Sequence, residues 1–113
     1  MRSMSRTPNA LLHGTLDVLI LKTLTTGPRH GYAIGRFIED VTGEAVQVEE
    51  GSLYPALYRM ERRGWVDAEW GTSELGRRAK LYRLTGEGRR RLAAETDTWR
   101  RFSAGVSKVL FAK

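Results

Sequence analysis

The sequence predicts a mainly α fold with one small β-hairpin, and three observations predict it. Apolar residues recur at three- and four-residue spacing in three short segments joined by brief polar links. Two alternating runs, separated by a polar loop, follow the third segment. A further amphipathic stripe then occupies the last part of the chain. At 113 residues the chain is long enough for one independent core with an appended helix.

Residues 1–9 read as a flexible basic arm carrying Arg2 and Arg6. Leu11 to Leu24, LLHGTLDVLILKTL, is the first expected helix. Leu16, Leu19, Ile20 and Leu24 form one stripe, while Val18 and Leu21 lie on another side. A helix apolar nearly all round is buried from more than one direction, and in so small a protein a second subunit is the expected source. Thr25-Thr26-Gly27-Pro28 ends it. His30 to Val41 is the second helix, with Ile34, Phe37, Ile38 and Val41 inward and Thr42-Gly43 as its stop.

The most informative stretch is Glu50 to Gly64, EGSLYPALYRMERRG. At about 100° per residue, Leu53, Ala56, Leu57 and Met60 gather on one side. Pro55, Tyr58, Arg59 and Arg62 fall opposite, with Ser52 flanking. A helix beginning near Ser52 puts Pro55 in the first turn, where its missing amide costs little. Ser52 would then cap through the amide of Tyr54. A packed helix that turns Ser, Tyr and Arg outward has what reading a DNA major groove requires.

Trp65 to Trp70 and Arg77 to Leu84 are the two strands, joined by Gly71 to Gly76. Val66, Ala68 and Trp70 would face one way, as would Tyr82 and Leu84. A hairpin directly after such a helix is a wing, and Arg77, Arg78 and Lys80 are expected at or near its tip to grip phosphates or enter the minor groove. Thr85 caps the last helix, with Glu87 near its positive end. Along that helix Leu92, Trp99, Phe102, Val106, Val109 and Leu110 form one stripe. Leaving a Phe-sized side chain in water forfeits about 1.5–3 kcal/mol. A homodimer, with this helix packed on the partner's first or last helix, is the economical answer. The fold class is therefore a winged helix-turn-helix plus C-terminal dimerisation helix, divided as the arm at 1–9, the DNA-binding domain at 10–84 and the dimerisation helix at 85–113.

Composition narrows the function. The formal charge of +6 argues for a polyanionic partner, most commonly nucleic acid, with an anionic membrane as the alternative. The absence of cysteine excludes disulfides, zinc–thiolate sites and thiol catalysis. No apolar run is long enough to span a bilayer, so no membrane partner is expected. The opening MRSMSRTPNALLHG holds no secretory h-region, and the expected location is cytoplasmic. His13 and His30 are the two histidines, and their spacing from Asp17, Glu39 and Asp40 announces no metal set. No nucleophile–base–orienter set, phosphate loop or HExxH pattern is present, so neither an enzyme nor a cofactor is expected. The competing reading is a winged module that binds protein. Against it, Arg59, Arg62, Arg77, Arg78 and Lys80 all fall in the two elements that would touch a duplex.

The runs LHGTLDVLILKTL, GPRHGYAIGRFIEDVTG, EEGSLYPALYRMERRGWV and RRAKLYRLTGEGRRRL resemble the PadR family of bacterial transcriptional regulators from about Leu12 to Leu92. Trp99, in a last helix of modest length, is similar to the family's short subgroup, which carries a single C-terminal helix. The resemblance implies a dimeric repressor on a pseudo-palindromic operator, released by a small aromatic or lipophilic effector. Ser52, Tyr54, Pro55, Tyr58, Arg59, Arg62, Arg77, Arg78 and Lys80 are the candidate DNA contacts. Trp99 and Phe102 are the candidate lining of an effector cavity at the dimer centre, with Leu12, Leu16 or Leu19 across the interface and Val106 and Leu110 extending it. Two positions depart from the family pattern. Ala33 stands where Glu often follows Gly-Tyr, and Gly86 stands where Pro often follows the capping Thr, loosening the last helix by up to about 1 kcal/mol.

Overall fold

The computed structural model describes residues 9–113, with side chains from residue 14 onward. The expected basic arm and the Leu12 side chain lie outside the described residues, save that Asn9 already opens the first helix. The order is α1 (Asn9–Thr23), a 3-10 turn (Leu24–Thr26), β1 (Arg29–His30), α2 (Gly31–Val41), α3 (Glu50–Arg62), β2 (Val66–Thr72), β3 (Arg78–Leu84) and α4 (Gly86–Leu110). The described residues thus form four helices and a small antiparallel sheet of order β1-β3-β2.

One core unites these elements. It is built from Leu16, Ile20, Leu21 and Leu24 of α1 and its turn, Ile34 and Ile38 of α2, Leu53, Ala56, Leu57 and Met60 of α3, and Val66 and Tyr82 of the sheet. The four α3 residues are those the helical spacing sends inward. α1 is packed by α2, α3 and α4 of the same chain. On the second of its apolar sides Leu21 is therefore fully buried without a second subunit, while Val18 stays half-exposed. Leu16 is 1 % exposed. That corrects its expected place at a subunit interface, because α2, α3 and α4 all pack on α1 and leave Leu16 no outward surface. Leu19 is half-buried against that core.

The sheet has a strand that the sequence does not announce. Arg29 and His30 pair with Tyr82 and Leu81. Two residues cannot display an alternating pattern, so periodicity is blind to them. His30 then occupies the N-cap position of α2 without a side-chain cap, and its Nδ1 lies 2.9 Å from the Lys80 carbonyl oxygen. The link between α2 and α3 is held from within. Thr42 Oγ1 donates to the Ile38 carbonyl and accepts from the Val46 amide, while Glu39 Oε2 accepts from the Val48 amide at 2.8 Å.

The start of α3 differs from expectation. Glu49, not Ser52, holds the N-cap position in extended backbone, and the Ser52 and Leu53 amides donate to the Glu49 carbonyl. Ser52 is already in the first turn and makes no side-chain cap. Pro55 accordingly lies in the second turn, inside the helix. Its absent N–H leaves the Gly51 carbonyl without its intrahelical donor. Gly51 is exposed, so the orphaned oxygen is open to solvent and not sealed in the core.

α4 begins as expected. Thr85 Oγ1 accepts from the Gly88 amide at 2.9 Å, and its own hydroxyl proton is directed at the Gly64 and Trp65 carbonyls. Gly88 is buried against Trp65, where a Cβ would overlap the Trp65 carbonyl oxygen. This contact seats the root of α4 on the base of the hairpin.

Candidate nucleic-acid interface

The outer side of α3 is a crest of exposed Gly51, Pro55, Tyr58 and Arg62. Tyr58 is 60 % exposed, and the Arg62 guanidinium lies over its ring at 5.7 Å. Tyr58, Arg59, Arg62 and Arg63 together line an open-sided depression. Of the predicted residues, Pro55, Tyr58 and Arg62 therefore stand free for a partner, and Ser52 stands half-exposed beside them.

The two flanks of α3 are braced by ion pairs. On one flank Arg59 donates to Asp17 of α1 at 2.6 Å. On the other, Glu61 takes Lys80 of β3 at 3.0 Å. Arg59 and Lys80 are thus partly neutralised within the chain, whereas among the described residues no carboxylate pairs with Arg62. Sequence reasoning weighed Asp17 only as a stray metal ligand and passed over Glu61. Both pairings span long sequence separations that helical spacing does not reveal. Tyr54 also belongs to a flank. Its ring lies against α2 where Gly31 has no Cβ; one there would stand 2.7 Å from the ring. Burial first, and the Glu50 carboxylate second, hold the Tyr54 hydroxyl above the usual phenol range. Tyr82, buried beneath the sheet, is raised for the same first reason, with Glu61 and Tyr54 adding to it.

The hairpin pairs in one register, from Val66 opposite Leu84 to Thr72 opposite Arg78. Its tip is the turn from Ser73 to Arg77, with the Ser73 amide donating to the Arg77 carbonyl and Gly76 at positive φ. Arg77 and Arg78 are exposed at this end, as expected. Lys80 is not at the tip. It pairs with Trp70 further down the strands, drawn toward α3 by Glu61.

This arrangement is a helix-turn-helix followed by a basic wing. The sequence profile of the transcriptional regulator PadR-like family matches residues 20–94. The chain belongs to the PadR-like family. A curated relative, an uncharacterised protein of Lysinibacillus sphaericus, is 30 % identical over 89 residues, covering 79 % of this chain and 82 % of the relative. A transcriptional regulator from Clostridium thermocellum superposes with a TM-score of 0.80 at 30 % identity, over 92 % of this chain and 99 % of that one. A PadR family transcriptional regulator from Eggerthella lenta does so at 0.76 and 32 %, over 93 % and 89 %. This PadR-like protein is a DNA-binding transcriptional regulator and not an enzyme. Among the described residues no helix is long and apolar enough to cross a membrane, and no three His, Asp or Glu side chains gather as a metal site.

The last helix carries a second exposed surface. Trp99 is 46 % and Phe102 57 % exposed, with ring centroids 6.0 Å apart and planes tilted by 45°. Val106, Val109 and Leu110 extend the same apolar surface.

Proposed function

We propose that this PadR-like protein is a cytoplasmic homodimeric repressor of a pseudo-palindromic operator, released by a small aromatic or lipophilic effector. The observation that carries the reading is the α3 crest, apolar inward and Pro55-Tyr58-Arg62 outward, beside a wing ending in Arg77 and Arg78. Arg62 and the wing arginines bind phosphates, while Tyr58, Ser52 and Pro55 meet the groove, Pro55 against a thymine methyl. Arg59 and Tyr54 contact DNA from the flanks of the crest, and Lys80 from partway along the wing. Residues 10–84 form the binding unit and 85–113 the association unit. Two copies meet through Trp99, Phe102, Val106 and Leu110, which hides apolar surface that a lone chain leaves in water.

Control follows from spacing. Two α3 helices enter successive grooves on one face only when about 34 Å, or a multiple, separates them. An effector seated between the Trp99–Phe102 pairs of two subunits shifts this separation if it binds the two states unequally. Fluorescence anisotropy with labelled DNA from upstream of the gene tests the binding arm. Arg62→Ala should weaken binding and lower the salt slope by about one for each phosphate it no longer neutralises; unchanged affinity and slope would place the interface elsewhere. Sedimentation under dilute conditions tests the dimer, and a lone-chain mass would refute it. Aromatic compounds titrated against Trp99 emission, in a Trp65→Phe/Trp70→Phe background, test release.

A further inference from the structure

The core-facing side of the hairpin does not stop where the core stops. Along β2, Val66 is buried, Ala68 half-buried and Trp70 54 % exposed. Opposite them stand Leu84, Tyr82 and Lys80. Trp70 thus prolongs the apolar file past the cover of the helices, toward the tip. A large indole so placed has no role in the core, yet it is not bare. The Arg78 guanidinium lies 4.4 Å and the Lys80 ammonium 5.5 Å from the ring centroid. Lys80 in turn bonds Glu61 on α3. Among the described residues no carboxylate pairs with Arg78. One contiguous array therefore runs from the recognition helix to the last pair of the wing, as Glu61, Lys80, Trp70 and Arg78.

We propose that Trp70 is a positioning residue for DNA binding, holding Arg78 and fixing the basic edge of the wing relative to the recognition helix. The inference rests on the DNA-binding reading above and names a residue that reading does not include. An arginine on an open surface samples many rotamers and must surrender them at a phosphate. One already drawn to an indole by the ring quadrupole has surrendered most of them beforehand. Stacking on the ring face uses none of its N–H donors, which can still meet phosphate oxygens in pairs. Lys80, held by both Trp70 and Glu61, anchors the other end of the array to α3. The ring thus sets where the free charge of Arg78 is presented.

The test is a double-mutant cycle on the full chain, read by anisotropy with labelled upstream DNA across a salt series, with thermal unfolding of each variant. Trp70→Leu should weaken binding about two- to fivefold, the worth of an exposed cation–π contact. It should also lower the salt slope as Arg78→Ala does, and Trp70→Phe should recover most of the affinity. In the Arg78→Ala background Trp70→Leu should cost clearly less than it does alone, because the main group it positions is gone and only its contact with Lys80 remains. Full additivity of the two effects, or wild-type binding by Trp70→Leu while Arg78→Ala binds weakly, would overturn the proposal. If Trp70→Leu does not fold, Trp70→Gln carries the same cycle. Failure of the DNA-binding reading looks different: the wild type itself would show no salt-dependent binding to any duplex.

Discussion

Gly86 and Gly88 stand two residues apart in the first turn of α4, and replacing each with alanine should move stability in opposite directions. A Cβ on Gly86 meets nothing within 4 Å. Alanine there limits the unfolded chain and favours the helix, so Gly86→Ala should stabilise by about 0.5 kcal/mol. Gly88, deeper in the turn, has up to about 1 kcal/mol of propensity to gain. Its Cβ, however, would overlap the Trp65 carbonyl oxygen and stand 2.7 Å from Leu84 Cδ1. Real Cβ contacts do not fall below 3.0 Å, so the carbonyl must retreat. That carbonyl accepts from the Thr85 amide at 3.2 Å and from Thr85 Oγ1 at 3.0 Å. Weakening both bonds costs about 1 kcal/mol each, and overpacking adds about 1–3 kcal/mol. Against the propensity gain, Gly88→Ala should lose about 2 kcal/mol or more. For a chain of this length each kcal/mol moves the midpoint by about 4 °C. Thermal unfolding at one fixed protein concentration should therefore place Gly86→Ala about 2 °C above wild type and Gly88→Ala about 8 °C below it. Because Gly88 seats α4, the second variant should also associate less well. Stabilisation by both substitutions would refute the reasoning, since it would mean that propensity alone governs this turn.

Three further outcomes follow from single contacts. Asp17→Asn should free the Arg59 guanidinium from its 2.6 Å partner, raising affinity for arbitrary duplex DNA and steepening the salt slope by about one per copy. Stability should change by less than about 1 kcal/mol, as the pair is partly exposed; weaker DNA binding would sink the idea. Pro55→Ala should restore a donor for the Gly51 carbonyl and stabilise by about 1–2 kcal/mol in denaturant titrations. It should at the same time weaken operator binding, and a variant improved in both respects would remove Pro55 from the interface. Tyr82→Phe bears on alkaline stability. The folded state holds the Tyr82 hydroxyl above its usual 10.0, mainly by burial, so the unfolded chain ionises first. The contribution is whole below pH 10 and is lost as pH climbs beyond it, so Tyr82→Phe should flatten the decline seen by circular dichroism.

How much of this was legible in the sequence depends on the range of each interaction. The buried face of α3, the Thr85 cap and the same-face placement of Val66, Ala68, Trp70, Tyr82 and Leu84 are local matters of period and capping, and the structure keeps them. What escaped is non-local. The two-residue β1 exists only because β3 offers it an edge. Leu16 turns to the chain's own core because α2, α3 and α4 converge on α1, which no stripe on α1 alone can signal. The braces Asp17–Arg59 and Glu61–Lys80 join segments 42 and 19 residues apart. The role of Trp70 needs the hairpin register, which a turn of uncertain length conceals until Thr72 is seen opposite Arg78.

The misplaced start of α3 is the most instructive difference. Local rules put a proline in the first turn and a serine at the cap, and both rules fail at the same helix. The helix begins earlier, at Glu50, and carries Pro55 where an amide would have served it. A helix with that defect and no side-chain cap is poorly stabilised by its own sequence. It persists because four apolar residues anchor it from beneath and two ion pairs hold it from the sides. Both lapses lie on or beside the outward crest, where a proline ring and a half-exposed hydroxyl are useful to a partner. Local inconsistency confined to one exposed helix face, with compensation on every other face, is the pattern expected where binding, not folding, has set the residues.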